Sequence, residues 1–302
     1  MSWLLVTILA YFFLAIVSLF DRYFLVGSIP NPKVYTFYVG VLWLLVCLFL
    51  IPFGIVLPVT GLIILGLVTG FIKIFANLFL FKSTAISEVS RAVPAIGGFL
   101  PIFSFILFFL YFPKAEILNL SQFIAFILLV LGSVLISLKK FSPKFFTFKT
   151  LKYPILSAFL FALAFFLTKI LFLRTSFLSG FFLILIGGGL GALSFLIFSQ
   201  FRKNIFTQKF NQQMSGIFFL GQIIGGIGAI LQQYAFFLAK PSQIPLINAL
   251  EGIIYIFLLF FVFLLSFWRP WLLKEEMRGM TLFQKIIAIF FIVVGLAILT
   301  IR

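Results

Sequence analysis

The chain has 302 residues, of which 64% are hydrophobic and only 9% are charged, and its mean hydropathy is +1.31. A soluble domain is about half apolar and about a quarter charged, so this composition excludes a soluble globular protein and a disordered one. The formal net charge is +16, and the basic residues lie between hydrophobic stretches, which indicates membrane topology rather than nucleic-acid binding.

Long continuous apolar stretches predict membrane-spanning helices, because about 20 apolar residues cross the hydrocarbon core of a bilayer. Spanning strands would instead alternate apolar and polar residues. In chain order we predict ten helices, at 3–20, 34–51, 59–81, 84–111, 119–138, 153–172, 177–199, 214–238, 242–267 and 281–301. The first has no basic segment before it and no small-residue cleavage site after it, so we expect a mature helix rather than a signal peptide.

The residues needed for most enzyme chemistry are missing. The sequence contains no His, one Cys and six carboxylates, whereas a zinc site, a Ser/His/Asp triad and a Cys/His dyad all require more. We therefore expect no enzyme, no cofactor and no metal site. The single cysteine, Cys47, lies in an apolar run and cannot form an intrachain disulfide.

The two halves of the chain resemble each other. Residues 8–22 align without gaps on residues 155–169, which places Arg22 on Lys169. Near the ends of the halves, residues 122–132 run parallel to residues 285–295, and each segment ends in glycine. The middle aligns less well, but one register places Asn77 on Gln233.

Each half would hold five helices, and an odd number means that the second copy enters the membrane from the opposite side. The predicted fold is therefore an all-α polytopic membrane bundle of ten helices, built from two five-helix inverted repeats. The repeats span residues 1–138 and 153–302, and a basic linker at 139–152 joins them. An unrepeated ten-helix bundle is the alternative.

Short segments recur in the same order in both halves. In the first half, Ser83-Thr84-Ala85-Ile86-Ser87 and Arg91-Ala92-Val93-Pro94 lead into a long apolar helix, and Lys114-Ala115-Glu116 and Leu131-Gly132 follow. The second half carries Asn248-Ala249-Leu250-Glu251-Gly252, then Lys274-Glu275-Glu276 and Val294-Gly295. In content and order these segments resemble the EamA-type family of the drug/metabolite transporter superfamily, over essentially the whole chain.

The resemblance implies a membrane transporter of small metabolites or drugs, with both termini in the cytoplasm. The very short, uncharged second connection departs from the family pattern, because many members carry basic residues there. The residues themselves favour a secondary transporter that works by alternating access. A non-transporting integral membrane scaffold or assembly factor is the main alternative, and an intramembrane enzyme acting on lipid is a third.

Ionisable side chains inside membrane helices are costly and face protein or water rather than lipid. Glu251 is the acidic residue that the predicted boundaries place farthest from a helix end. It can bind a proton or neutralise a cationic substrate, or it can form a structural pair with Lys73 or Lys169. Further amides, Asn77, Gln222, Gln232, Gln233, Gln243 and Asn248, can line the same cavity or join helices by hydrogen bonds. The predicted substrate- or ion-binding residues are Glu251, Lys73, Asn77, Gln233, Asn248 and Lys169.

Prolines mark matching places in the two halves: Pro94 and Pro101 in the fourth predicted helix, and Pro241 and Pro245 in the ninth. Proline removes a backbone donor and bends a helix, and the freed carbonyl groups need protein or water as partners. We therefore predict a central cavity beside these two helices. Glycine clusters at 187–191 and 221–228 are expected to allow close helix contact rather than to bind a nucleotide.

Basic residues concentrate on the odd-numbered connections between predicted helices, which the positive-inside rule places in the cytoplasm. That leaves both termini outside, the reverse of what the family resemblance implies. In the linker we expect anionic lipid headgroups near Lys139, Lys140 and Lys144. The expected partners are a small-molecule substrate and the bilayer, and no nucleic acid. Substrate identity, transport direction, coupling ion and oligomeric state stay open.

Overall fold

The computed structural model describes residues 2–86, 89–112, 118–137, 148–207, 212–268 and 280–300, and within them the fold is entirely helical. The α-helices in these ranges are α1 (Ser2–Val26), α2 (Pro32–Leu50), α3 (Thr60–Ile86), α4 (Val89–Tyr111), α5 (Leu120–Ser137), α6 (Phe148–Phe172), α7 (Phe177–Leu193), α8 (Ser199–Thr207), α9 (Gln212–Leu238), α10 (Ile244–Ala249), α11 (Gly252–Trp268) and α12 (Met280–Thr300).

Seven helical stretches in the described ranges are long and apolar enough to cross a membrane: Ser2–Val26, Pro32–Phe53, Thr60–Ile86, Leu151–Phe172, Phe177–Ile197, Met214–Leu238 and Pro241–Leu258. Shorter apolar helices lie at Ala95–Tyr111, Leu120–Leu135 and Ile286–Thr300. These lengths confirm the prediction of a helical membrane bundle.

The first helix is longer than its sequence predicts. Its predicted end at residue 20 is wrong, because α1 continues to Val26 and includes Asp21 and Arg22. Both charged side chains find partners within the bundle: Asp21 accepts a hydrogen bond from Tyr35, and Arg22 donates to the carbonyl of Thr84. Internal partners let charged residues remain in a membrane helix.

The segment predicted as one helix over 242–267 is interrupted. It begins with a 3₁₀ turn at Pro241–Gln243, continues as α10, and tightens at Leu250 and Glu251 before α11 starts. Here the backbone bonds join residues three apart, including Glu251 N–H to the Asn248 carbonyl and Ile254 N–H to the Glu251 carbonyl. Glu251 therefore lies at an irregularity in the helix rather than in a regular turn.

The two halves of the chain interdigitate. The most extensive helix contacts pair an element from the first half with one from the second: α1 with α9, α3 with both α6 and α7, α5 with α12, α4 with α6, and α2 with α7. Any space at the centre of the bundle is consequently bounded by both halves.

Glycines allow these helices to approach closely, as predicted for the cluster at 187–191. A Cβ atom added to Gly70 of α3 would lie 1.9 Å from the Ile184 carbonyl oxygen, and one added to Gly187 of α7 would lie 2.1 Å from the Leu67 carbonyl oxygen. Backbone is thus in contact with backbone, which a larger residue would prevent.

Gly132 of α5 and Gly295 of α12 make reciprocal contacts. A Cβ on Gly132 would lie 2.6 Å from Ile292 Cγ1 and 2.8 Å from the Ala288 carbonyl oxygen. A Cβ on Gly295 would lie 2.9 Å from Leu129 Cγ and 3.2 Å from the carbonyl oxygen of Ala125, a residue one turn further back. The later residue of α5 thus meets the earlier residues of α12, and the later residue of α12 meets the earlier residues of α5. The two helices therefore run antiparallel.

Candidate functional site

A cavity of about 210 Å³ lies between the two halves. Its walls come from α1, α2, α3 and α4 of the first half and from α6, α9 and α11 of the second. Most of the lining is apolar. The polar lining residues are Ser18, Asp21, Lys73, Asn77, Thr84, Gln222, Gln232 and Glu251.

One end of the cavity holds a hydrogen-bonded network centred on Asp21. The Tyr35 hydroxyl donates to Asp21 Oδ1 at 2.5 Å, and Gln222 Nε2 donates to Tyr35 Oη at 3.0 Å. Gln222 also hydrogen-bonds to Asp21 itself. The network joins α1, α2 and α9, and it supplies two donors to a carboxylate that borders the cavity.

Another part of the cavity holds Glu251, which is half-buried between α10 and α11. The hydroxyl groups of Tyr11 and Tyr255 lie close enough to interact electrostatically with its carboxyl group. The Gln232 side chain hydrogen-bonds to the Tyr11 hydroxyl, which donates to the Ile247 carbonyl at 2.6 Å. Neither Lys73 nor Lys169 is paired with Glu251.

The packing of α1 on α9 shows that the Asp21 and Glu251 carboxyl groups lie far apart in the cavity. Gly225 of α9 faces Val17 of α1, and Gly228 faces Leu14, so the helices run in opposite directions. Gln222, beside Asp21, and Gln232, near Glu251, are ten residues apart on α9, which corresponds to about 15 Å along a helix. The cavity therefore carries an acidic group toward each end.

Lys73 of α3 lies on the cavity wall and is only 6% exposed. Its Nζ atom is 5.7 Å from the centroid of the Trp43 ring and 5.9 Å from that of Phe165. Ammonium groups at these distances are attracted to aromatic faces. One turn along α3, Asn77 also borders the cavity and donates from Nδ2 to the Lys73 carbonyl at 3.0 Å.

The other predicted site residues are buried away from this cavity. Lys169 Nζ donates to the carbonyls of Phe236, at 3.2 Å, and Ala239, at 2.5 Å, and so caps the C-terminal end of α9. Asn248 Nδ2 donates to Ser104 Oγ at 2.8 Å and ties α10 to α4. The structure thus brings together Glu251, Lys73 and Asn77 of the predicted set, and not Lys169 or Asn248.

Gln233 is completely buried, and neither its Nε2 nor its Oε1 atom has a hydrogen-bond partner among the described residues. Its neighbour Gln232 borders the cavity instead. Successive residues of a helix point about 100° apart, and of these two amides the lining includes only Gln232.

The predicted proline-bearing helices both border the cavity. Ile96 and Leu100 of α4, near Pro94 and Pro101, contribute to its wall, and so does Glu251, which follows Pro241 and Pro245. The predicted lipid-binding residues Lys139, Lys140 and Lys144 lie outside the described residues.

Sequence reasoning missed Asp21 and Trp43. Asp21 fell beyond the predicted end of the first helix, and a Phe, Tyr or Trp that lines a cavity cannot be separated from an aromatic background of 20%. The signal for Asp21 was its place beside Arg22 directly after an apolar run, since a longer helix includes both.

The arrangement suits a small, partly apolar molecule with a charged group. The described lining carries two carboxylates and one ammonium group, with aromatic rings between them. Concave, mostly apolar sites with a few placed polar groups are typical of small-molecule binding.

No protein-family model matches this sequence, and no curated protein matches it. Sixteen chains of solved structures do match. One of them, described only as a crystal structure of a protein, has a TM-score of 0.63 and 15% sequence identity, over 99% of this chain and 96% of its own. At that identity the likeness shows a shared fold over the whole chain. The protein is a multi-pass membrane protein, helical in the residues that the structure describes.

Proposed function

We propose that the protein is a secondary transporter that moves a small organic solute across the membrane by alternating access. We further propose ten membrane crossings, an inverted repeat and membership of the EamA-type family. The observation that carries the proposal is the cavity between the halves, whose lining includes three ionisable residues of stretches long enough to cross a membrane: Asp21, Lys73 and Glu251. Ionisable groups in such positions are typical of substrate and ion pathways.

The reciprocal contacts of α5 and α12 support the inverted repeat. The sequence register that aligns Gly132 with Gly295 also aligns Leu129 with Ile292, and these four residues contact each other crosswise. A two-fold axis that relates antiparallel helices is perpendicular to them. For helices that cross a bilayer, such an axis lies in the membrane plane, as an inverted repeat requires.

One contact between α3 and α6 has a neighbouring counterpart between α9 and α1, which also supports the proposed repeat. Ser157 of α6 donates to the Ala76 carbonyl of α3 at 3.0 Å. The alignment that matches Ile8 with Ile155 pairs Ser157 with Ala10. The alignment that matches Asn77 with Gln233 pairs Ala76 with Gln232. Gln232 does contact α1 there, through the residue beside Ala10, Tyr11.

In this proposal Glu251 couples transport to protons. An isolated charge in a dry site is costly, so a carboxyl group without a cation partner is poised to exchange a proton when its surroundings change. The Tyr11 and Tyr255 hydroxyl groups lie near it, and Gln232 hydrogen-bonds to Tyr11. No nucleotide-binding segment is recognisable in the sequence, which favours an ion gradient as the energy source.

The proposal is tested with purified protein in lipid vesicles, exposed to labelled amino acids, organic cations and nucleosides with and without a pH gradient. We expect at least one solute to accumulate above empty vesicles, with a rate that the gradient changes. Glu251→Gln should fold normally and lose the pH response. Glu116→Gln, which removes a carboxylate between α4 and α5 in sequence, should keep it.

Two outcomes count against the proposal. An unchanged pH profile in Glu251→Gln would return Glu251 to a structural role. No protein-dependent uptake of any solute would favour the membrane scaffold instead.

A further inference from the structure

Three lysines converge at the end of the bundle where α1 and α3 end and where α2 and α6 begin. Lys33 lies in the first turn of α2, Lys82 near the end of α3, and Lys152 near the start of α6. Lys33 and Lys152 are both close enough to Lys82 to repel its ammonium group. Like charges drawn together in this way create a positive potential that favours an anion beside them.

The described part of the chain provides no such anion. Its acidic residues are Asp21, which is engaged by Tyr35 and Gln222, and Glu251, which faces the cavity beside Tyr11 and Tyr255. No ion pair within the described residues involves Lys33, Lys82 or Lys152.

Aromatic rings lie directly under these ammonium groups. Lys82 Nζ is 4.8 Å from the Phe79 ring centroid and 5.5 Å from that of Tyr153, and Lys152 Nζ is 5.9 Å from the same Tyr153 ring. Tyr153 thus lies within 6 Å of two lysine ammonium groups. Basic side chains beside an amphipathic aromatic ring are typical of the headgroup region of a bilayer.

The short helix α8 borders the same end. Phe201 of α8 lies under Lys33 Nζ, 3.5 Å from the ring centroid, and the Tyr38 hydroxyl of α2 donates to the Ile205 carbonyl at 3.0 Å. Phe198, just before α8, and Phe206 within it are 58% and 73% exposed. Exposed aromatic side chains beside basic ones are typical of a helix that lies in the membrane interface.

We propose that Lys33, Lys82 and Lys152 bind the phosphate of an anionic phospholipid headgroup, with its acyl chains alongside α8. The positive charge of the three lysines favours binding of a phosphate. The exposed Phe198 and Phe206 side chains beside α8 favour a lipid over a soluble phosphate. The site does not depend on transport, since it lies outside the cavity lining.

The test compares Lys82→Gln/Lys152→Gln with a control, Arg174→Gln/Lys240→Gln, which removes two exposed positive charges at other connections. Binding of phosphatidylglycerol and of phosphatidylcholine is measured by native mass spectrometry in detergent. We expect saturable binding of phosphatidylglycerol by the unsubstituted protein, roughly tenfold weaker in the Lys82/Lys152 variant. The control variant should bind as the unsubstituted protein does.

Two further arms separate the possible ligands. If millimolar inorganic phosphate displaces phosphatidylglycerol, the lipid assignment is overturned. Equal loss of phosphatidylglycerol in both variants also overturns it, because the effect is then one of net charge. Melting temperatures in phosphatidylcholine alone should agree among the three proteins, which shows that the substitutions leave the fold intact.

Discussion

Arg22 and Lys169 perform the same task at two different helix ends. Arg22 donates to the carbonyls of Thr84 and Ala85 at the end of α3, and Lys169 donates to those of Phe236, Phe237 and Ala239 at the end of α9. The last carbonyls of a helix lack internal partners, and cations are favoured beside them. Sequence alignment of the two halves pairs these same two residues.

Loss of the Lys169 ammonium group should destabilise the protein. Lys169→Met leaves the carbonyls at the end of α9 without a donor, and we expect a loss of about 1.5–3 kcal/mol, the usual range for hydrogen bonds to a charged group. Lys169→Arg should recover part of it. Thermal unfolding in detergent measures both effects. A melting temperature of Lys169→Met equal to that of the unsubstituted protein would show that water replaces the lysine.

The contact of α5 with α12 should be sensitive to single methyl groups. We expect Gly132→Ala and Gly295→Ala each to cost about 1–3 kcal/mol by overpacking, with Gly132→Ala the worse, since its Cβ would lie 2.6 Å from Ile292 Cγ1. Gly61→Ala is the control, because nothing lies within 4 Å of a Cβ there. Thermal unfolding of the three variants tests this, and equal melting temperatures for all of them would contradict the close approach.

Loss of the side-chain amide should lower the stability of the protein at Gln232 but not at Gln233. Gln233→Leu removes a buried group without partners, and we expect it to stabilise the protein by about 1 kcal/mol or leave it unchanged. Gln232→Leu removes the hydrogen bond to Tyr11 and should destabilise. Chemical or thermal unfolding distinguishes them. A strongly destabilising Gln233→Leu would mean that the Gln233 amide has a partner after all, such as a buried water molecule.

The membrane orientation follows from the basic residues. The end of the bundle that carries Lys33, Lys82 and Lys152 should face the cytoplasm, so with ten crossings both termini lie outside. Alkaline phosphatase fused after Arg302 should be active, since it works only outside the cytoplasm, and a fluorescent protein fused there should be dark. The opposite pair of results would establish the orientation that the family resemblance implies.

The helical architecture was predictable because an apolar stretch long enough to span a bilayer has few other stable conformations. Glu251 and Lys73 were predictable as cavity residues for a related reason, since charged groups in such stretches avoid lipid. Asp21 was not, because its role depends on where α1 ends, and Tyr35 and Gln222, which stabilise it there, are distant in sequence.

The sequence could not show which of the two amides, Gln232 or Gln233, borders the cavity. In a soluble helix, polar residues mark the solvent face, but α9 is apolar on nearly all sides, so no face of it is marked. Lys169 was likewise predicted to serve the site, whereas its acceptors are the last carbonyls of α9, and the carbonyl groups of a helix end leave no pattern in side-chain sequence.

Alternating access requires that the two halves exchange conformations, so a residue and its repeat partner should be exposed in turn. In the present conformation Asn77 borders the cavity and its partner Gln233 is buried. In a Cys47→Ala background, Asn77→Cys and Gln233→Cys are treated with a small membrane-impermeant thiol reagent, from each side of sealed vesicles and over a range of pH. We expect both cysteines to react, each from a different side of the membrane. A pH that slows the reaction of one cysteine should speed the reaction of the other. A Gln233→Cys that stays unreactive from both sides at every pH, in a protein whose melting temperature is unchanged, would contradict alternating access.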